Sequence, residues 1–211
     1  MYKVVKRVMD FLLALLLLVV LSPILVIVAV AIKLDSKGPA FFKQLRSGKN
    51  GKEFMMYKFR SMSANNDVHD FKKENQMTRV GKFIRKTSLD ELPQLINIIK
   101  GEMSFIGPRP WITDYQKYFT KTQKRRLEVL PGITGLAQAS GRNDLSVQEK
   151  IKLDVYYVDH MSLLMDIRVI FGTIKAVFSK EGAELSKSGI QNELEELKHQ
   201  NNKPTPLKAE V

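Results

Sequence analysis

At 211 residues, with 34 Lys and Arg against 22 Asp and Glu, the chain carries a formal charge of +12 and can bury one sizeable core. That excess points to anionic partners: nucleic acid, acidic lipid headgroups or phosphorylated substrates. The absence of cysteine excludes disulfides and thiol chemistry, and three scattered histidines (His69, His160, His199) argue against a zinc centre, leaving carboxylate, arginine and lysine chemistry.

Lys3, Lys6 and Arg7 precede an apolar run over 11–32, after which Lys33 restores charge. A run of about 20 apolar residues suffices to cross the hydrocarbon core, so membrane attachment is expected. The run is too long for a cleaved signal peptide and lacks a small-residue cleavage site. Ser22-Pro23 interrupts it, and a proline there removes a helical hydrogen bond and clashes with the preceding turn. Two forms stay open on the residues alone: a kinked spanning helix, and a helix-break-helix that dips into the membrane and returns. Basic flanks at both ends favour a same-side return, and Ser22 is placed to satisfy backbone freed at the break.

Gly38-Pro39 opens a predicted strand over 40–45. A turn containing Asn50-Gly51 follows, with a returning strand over 53–59. Residues 61–76 are polar and read as a loop, and 80–86 as a short basic helix with a solvated face. A helix is predicted over 114–127, carrying Lys117, Lys121, Lys124, Arg125 and Arg126. With Trp111, Tyr115, Tyr118 and Phe119 it either rests on anionic headgroups or packs its aromatics inward and solvates its lysines. Residues 131–135 read as a turn or loop, with a second glycine turn at Gly141-Arg142-Asn143. Ser146 and Glu149 form a capping-box pattern ahead of a helix through Tyr157. Apolar spacing supports a last helix over 163–178. Apolar content falls from Gly182; 190–199 has helical character, and the end of the chain reads as a loose tail.

The stretch from Thr87 to Pro110 carries the chemistry. Ser88 and Glu91 match a capping box, and Pro93 suits a first helical turn. On that pattern alone, Asp90 and Glu91 merely complement a helix dipole. The context adds cations: Arg85 just upstream, and Arg109 held between Pro108 and Pro110 after Gly107. A carboxylate among fixed cations can attack phosphorus and form an acyl phosphate, chemistry that needs Mg²⁺ or basic side chains around the phosphates.

From about Val4 to Phe178 the chain resembles the bacterial sugar transferase family, the monotopic phosphoglycosyl transferases that start glycan assembly on a polyprenyl phosphate carrier. The resemblance lies in Lys6-Arg7 with Asp10, Ser22-Pro23, Gln44 with Arg46, and Tyr57-Lys58-Phe59-Arg60-Ser61-Met62. It continues through Arg85, the Ser88-Leu89-Asp90-Glu91-Leu92-Pro93-Gln94-Leu95 run, Gly101 to Pro110, Pro131-Gly132-Ile133-Thr134-Gly135 and Gly141-Arg142. It implies that Asp90 attacks the β-phosphate of a UDP-sugar and releases UMP, and that polyprenyl (undecaprenyl) phosphate then takes the sugar phosphate from the enzyme. The product would be a polyprenyl-diphosphate sugar, the first membrane step of capsule, exopolysaccharide or glycoprotein synthesis. By the same resemblance Glu91 completes the catalytic dyad and Mg²⁺ sits at Asp90. Arg85, Arg109, Pro108, Lys58, Arg60, Gln138 and Arg142 bind substrate, and Lys6, Arg7, Ser22 and Pro23 serve the membrane segment.

The fold so implied is α/β, mostly α, and membrane-associated. Residues 1–35 form a re-entrant hairpin, 36–181 a small catalytic domain with a short β-hairpin on the cytoplasmic face, and 182–211 a polar, partly disordered extension matching no recognised motif. The length fits the family's minimal catalytic form, with no multi-span region ahead of Met1. A homodimer is compatible with this. The rival class is a membrane-anchored basic protein that binds nucleic acid or anionic lipid. It lacks any helix-turn-helix, zinc or RNP-type signature and leaves the acid pair without a role, so nucleic acid is not an expected partner. A transferase that moves the sugar without its phosphate would release UDP instead of UMP.

Overall fold

The computed structural model describes residues 1–63, 77–141 and 145–178, together with 195, 197 and 198. The described part is mostly helical, with two small two-stranded sheets. The expected boundary near residue 181 and nearly all of the C-terminal extension lie outside the described residues.

Helix α1 (Tyr2–Val20) and helix α2 (Ser22–Asp35) meet at Leu21 with a bend of 62°. Pro23 has no N–H to offer the carbonyl of Val19 four residues back, and the Ser22 hydroxyl donates to that carbonyl at 2.8 Å. The serine thus compensates the bond that the proline deletes. No single helix among the described residues is long and apolar enough to cross a membrane; the bent pair passes that test together. Lys6, Asp10 and Ala14, spaced four apart on α1, form a buried stripe, and Leu17 and Leu18 pack on the core that Ala14 joins. On α2, Val28 and Ile32 are buried with Phe59 and Ile84. Both helices are therefore docked on the same folded domain, α1 from its start and α2 towards its end. Much of the remaining surface, including Val8, Leu12, Leu16, Val19, Val26 and Ile27, is exposed and apolar.

Strands β1 (Phe41–Ser47) and β2 (Glu53–Phe59) form the expected antiparallel hairpin, from Phe41 opposite Phe59 to Ser47 opposite Glu53. β1 runs two residues beyond the predicted end. Asn50 and Gly51 both adopt left-handed backbone, φ 56° and 76°, which is why an Asn-Gly pair occupies this turn. Helix α3 (Arg79–Lys86) is capped by Thr78.

The expected capping box at Ser88 is absent. Ser88 instead takes a left-handed conformation, φ 57°, and its N–H closes the end of α3 on the Arg85 carbonyl at 3.2 Å. A single 3-10 turn, Leu89–Glu91, follows before helix α4 (Gln94–Lys100). Glu91 does not reach back to Ser88 because its carboxylate is engaged by Lys58 and Arg109. The apolar side of α4 meets α1: Leu95 and Ile98 lie in one cluster with Ala14, Phe54, Met56 and Met103. Gly101, φ 83°, ends the helix.

Strand β3 (Ser104–Ile106) pairs in parallel with β4 (Gly132–Thr134), where the sequence suggests only a turn. Backbone contact at this junction is very close. A Cβ on Gly132 would lie 2.2 Å from the Gly107 nitrogen, so only glycine fits.

No continuous helix spans 114–127. A 3-10 turn (Thr113–Tyr118) stops at Phe119, and a fresh capping box of Thr120 and Gln123 starts helix α5 (Lys121–Lys124), followed by a second 3-10 turn, Arg125–Leu127. The break lets Trp111, Tyr115 and Phe119 turn inward together, where they pack with Val147, Ile151 and Leu197. The inward-packing alternative is therefore the one adopted by these aromatics. Helix α6 (Leu136–Ser140) leads to α7 (Val147–Asp159), capped by the expected Ser146–Glu149 box, and then to α8 (Leu163–Phe178). One side of α8 buries Met165, Asp166 and Val169; Leu163, Leu164, Ile167, Ile170, Phe171 and Ile174 are exposed.

Candidate active site

Four elements converge on the acid pair. The 3-10 turn supplies Asp90 and Glu91, β2 supplies Lys58, the turn after β3 supplies Arg109, and the last turn of α3 supplies Arg85. Lys58 Nζ lies 2.6 Å from Glu91 Oε1, and Arg109 Nη2 lies 3.3 Å from the same oxygen. Asp90 is only 8 % exposed, yet its carboxylate makes no hydrogen bond or ion pair among the described residues.

The adjacent acids therefore differ electrostatically. Burial would raise the Glu91 pKa, but Lys58 and Arg109 outweigh it and hold the carboxyl at about 2. Burial raises the Asp90 pKa above the usual aspartate value, and the opposing pull of Lys58, Arg85 and Arg109 does not cancel it. Burial likewise lowers the Lys58 pKa, against the attraction of Glu91. Glu91 is thus a committed counterion, whereas Asp90 is a carboxylate short of cationic partners. Arg85 acts on Asp90 through its charge; its guanidinium touches Met77 Sδ at 3.7 Å.

Asn97, which the sequence reading passes over, aligns this cluster. It is fully buried, donates to the Met55 carbonyl at 2.8 Å and to Glu102 at 2.7 Å, and accepts from the Tyr57 N–H at 3.1 Å. That fastens the Lys58 strand to α4, whose start follows the acid turn. The available signal was a lone amide inside the apolar Leu95–Ile99 run.

The other expected site residues differ in their surroundings. Arg60 is buried and donates to the carbonyls of Ser36 and Lys37 at 2.8 and 2.7 Å, so it braces the exit from α2. Gln138 lies on α6, half-buried, and donates to the Ile133 carbonyl at 3.1 Å. Pro108 flanks Arg109 in the turn, and Arg142 lies outside the described residues. Lys6 and Arg7 both have partners within the folded protein. Lys6 pairs with Asp166 at 2.8 Å in a buried network where Tyr2 and Tyr157 donate to Asp166, and Ser104 donates to Asp10. Arg7 donates to the Ile98 and Ile99 carbonyls at 2.6 and 3.1 Å, at the end of α4. These positions face inward because α1 docks along the stripe that carries Lys6. The sequence signal for Asp166 was a single acid in an apolar helix.

Among the described residues no group of three or more His, Asp or Glu side chains could hold a metal. The donor set instead suits an ion taken up with its ligand. Mg²⁺ commonly binds one or two carboxylates plus substrate phosphates and water, and the unpartnered carboxylate of Asp90 meets that requirement.

The family described as bacterial sugar transferase matches residues 1–180. The chain is 43% identical over 183 residues to an uncharacterized sugar transferase, EpsL, of Bacillus subtilis, covering 86% of this chain and 91% of that protein. It is 40% identical over 197 residues to the undecaprenyl-phosphate galactose phosphotransferase of Salmonella typhimurium, covering 84% of this chain and 41% of the relative. It is also 40% identical over 195 residues to an N-acetylgalactosaminephosphotransferase of Aeromonas hydrophila named for UDP-N-acetylgalactosamine and undecaprenyl phosphate, covering 86% and 45%. The chain thus spans nearly all of EpsL but less than half of the other two. On the family match, on these identities and on the acid pair with its cations, the chain belongs to the bacterial sugar transferase family.

Proposed function

We propose that this protein transfers a sugar 1-phosphate from a UDP-sugar to a polyprenyl phosphate such as undecaprenyl phosphate, through a phosphosugar-aspartyl intermediate on Asp90. The observation that carries this reading is the division of labour in the acid pair. Glu91 is neutralised by Lys58 and Arg109, while the buried Asp90 carboxylate beside it keeps its oxygens uncommitted. In the first step an Asp90 oxygen attacks the β-phosphorus of the donor, the bond from that phosphorus to the bridging oxygen breaks, and UMP leaves with the bond's electrons. In the second step an oxygen of polyprenyl phosphate attacks the same phosphorus and Asp90 departs as carboxylate. Lys58, Arg85 and Arg109 offset the negative charge that gathers around the acids. Mg²⁺ held by Asp90 and the diphosphate would neutralise phosphate charge and favour the ionised carboxylate. The relatives' names, which pair undecaprenyl phosphate with UDP-sugars or galactose, support the donor and acceptor classes.

A membrane site follows from the acceptor. The bend at Leu21, and the docking of both arms on one domain, support a hairpin that enters the bilayer and leaves on the side it came from. A UDP-sugar donor and the basic charge support the cytoplasm as that side. The exposed apolar face of α8 supports the same membrane contact.

The test is turnover of purified protein with a panel of UDP-sugars and polyprenyl phosphate. Release of UMP is expected, with a covalent adduct from labelled donor that Asp90→Asn abolishes along with turnover. Near-wild-type rates in Asp90→Asn would refute the nucleophile, and release of UDP would identify transfer of the sugar without its phosphate.

A further inference from the structure

We propose that Arg126 and Asp154 form a buried positioning pair that sets Arg109 for the nucleotide diphosphate; this inference rests on the phosphate-transfer reading above. The turn that carries Arg109 cannot hold itself. Pro108 and Pro110 have no N–H groups, so the backbone donors that would usually pin a tight turn are missing on both sides of Arg109. The turn is held by its carbonyls instead, each from a different element. The Pro108 carbonyl accepts from the Gly132 N–H at 3.0 Å, the Arg109 carbonyl from Arg126 Nη2 at 2.8 Å, and the Pro110 carbonyl from Arg46 Nη1 at 3.2 Å. The central bond is the only one of the three made to the residue whose side chain reaches Glu91.

Arg126 is unlike the neighbouring basic residues. Its side chain and that of Asp154 are each 1 % exposed, and Arg126 Nε and Nη2 both donate to one Asp154 oxygen, at 3.0 and 2.5 Å. The guanidinium lies 4.5 Å from the Trp111 ring centroid and 5.5 Å from that of Phe119. Burying an arginine among aromatics is costly unless its charge and its donors are all used. Here the carboxylate fixes the plane of the guanidinium, the adjoining Trp111 and Phe119 rings pack against it, and a remaining N–H is directed at the Arg109 carbonyl. A lysine could hold the charge but could not serve Asp154 and the carbonyl in that fork geometry. The relay is short: Asp154 orients Arg126, Arg126 pins the backbone of Arg109, and the Arg109 side chain meets Glu91 beside Asp90.

The experiment is a double-mutant cycle on the affinity for UDP, the part shared by all candidate donors, in the full-length protein reconstituted in lipid discs. Arg126→Lys is expected to weaken UDP binding about tenfold when Arg109 is present, and by less than about twofold in Arg109→Ala, as coupled neighbours behave. Equal losses in both backgrounds would mean that Arg126 serves only general stability and would overturn the proposal. So would unchanged UDP affinity in Arg126→Lys. If Arg126→Lys does not fold, Asp154→Asn, which keeps volume and one oxygen, carries the same cycle with the same criteria. Unchanged UDP affinity in Arg109→Ala alone would remove the clamp itself; that failure belongs to the reading of Arg109, while the phosphosugar adduct on Asp90 tests the chemistry separately.

Discussion

Asp90 and Glu91 are neighbours in sequence and close to opposites in electrostatic state. Lys58 is the residue that separates them. It pairs with Glu91 at 2.6 Å and also pulls the Asp90 pKa down, partly offsetting burial. Replacing it with methionine removes that pull, so Asp90 must titrate at a higher pH than before. In the proposed mechanism the attacking group is the Asp90 carboxylate, so the acid limb of kcat/KM should move to higher pH in Lys58→Met, by about one unit or more for loss of a close opposite charge. The pH dependence of adduct formation in a single turnover measures this directly. An acid limb that stays in place would mean that another group controls it.

At the scale of elements, the site depends on how closely β3 and β4 approach. The parallel pair brings Gly107 and Gly132 into backbone contact and thereby aims the Pro108-Arg109-Pro110 turn. Gly132→Ala would push a methyl group to within 2.2 Å of the Gly107 nitrogen, where no flexible side chain can yield. We expect a loss of roughly 1–3 kcal/mol of stability, as for overpacked interiors, accompanied by weaker binding of the UDP-sugar. Thermal unfolding and KM, measured on the same preparation, check both. A stable variant with normal KM would show that the two strands can separate without disturbing Arg109.

For the whole molecule, the question is how the domain sits on a membrane. The chain has no cysteine, so single introduced thiols report without background. Lys3 and Lys37, at the two ends of the bent pair, are both exposed. A re-entrant hairpin predicts that Lys3→Cys and Lys37→Cys are both shielded from a membrane-impermeant thiol reagent in intact cells, and both labelled after lysis. Labelling of only one in intact cells would establish a spanning helix. The basis is mechanical: Lys6 and Arg7 are tied to α8 and α4, and Ile32 to the core beneath β2 and α3, so the ends cannot part without tearing the domain.

The sequence by itself determined what depends on local physics and on near-neighbour chemistry. Pro23 had to break the apolar helix, Asn50-Gly51 had to turn the hairpin, and Ser146 with Glu149 had to start α7. The family motifs identified Asp90, Glu91 and Arg109 as one constellation. Tertiary structure decided which charges that constellation uses and which serve packing. Ser88 looked like a helix cap from its spacing to Glu91, but Lys58, 33 residues away from Glu91, competes for that carboxylate and wins. The resemblance assigned Arg60 to substrate and Lys6 and Arg7 to the membrane segment; the fold adds to each a carbonyl or carboxylate partner from a distant segment, which the sequence does not indicate. Arg126 was hidden among exposed lysines, since only the broken helix over 113–127 turns it inward to Asp154. Helical period, turn type and capping are written in adjacent residues; the partner of a buried charge is set by long-range packing, which spacing along the chain does not encode.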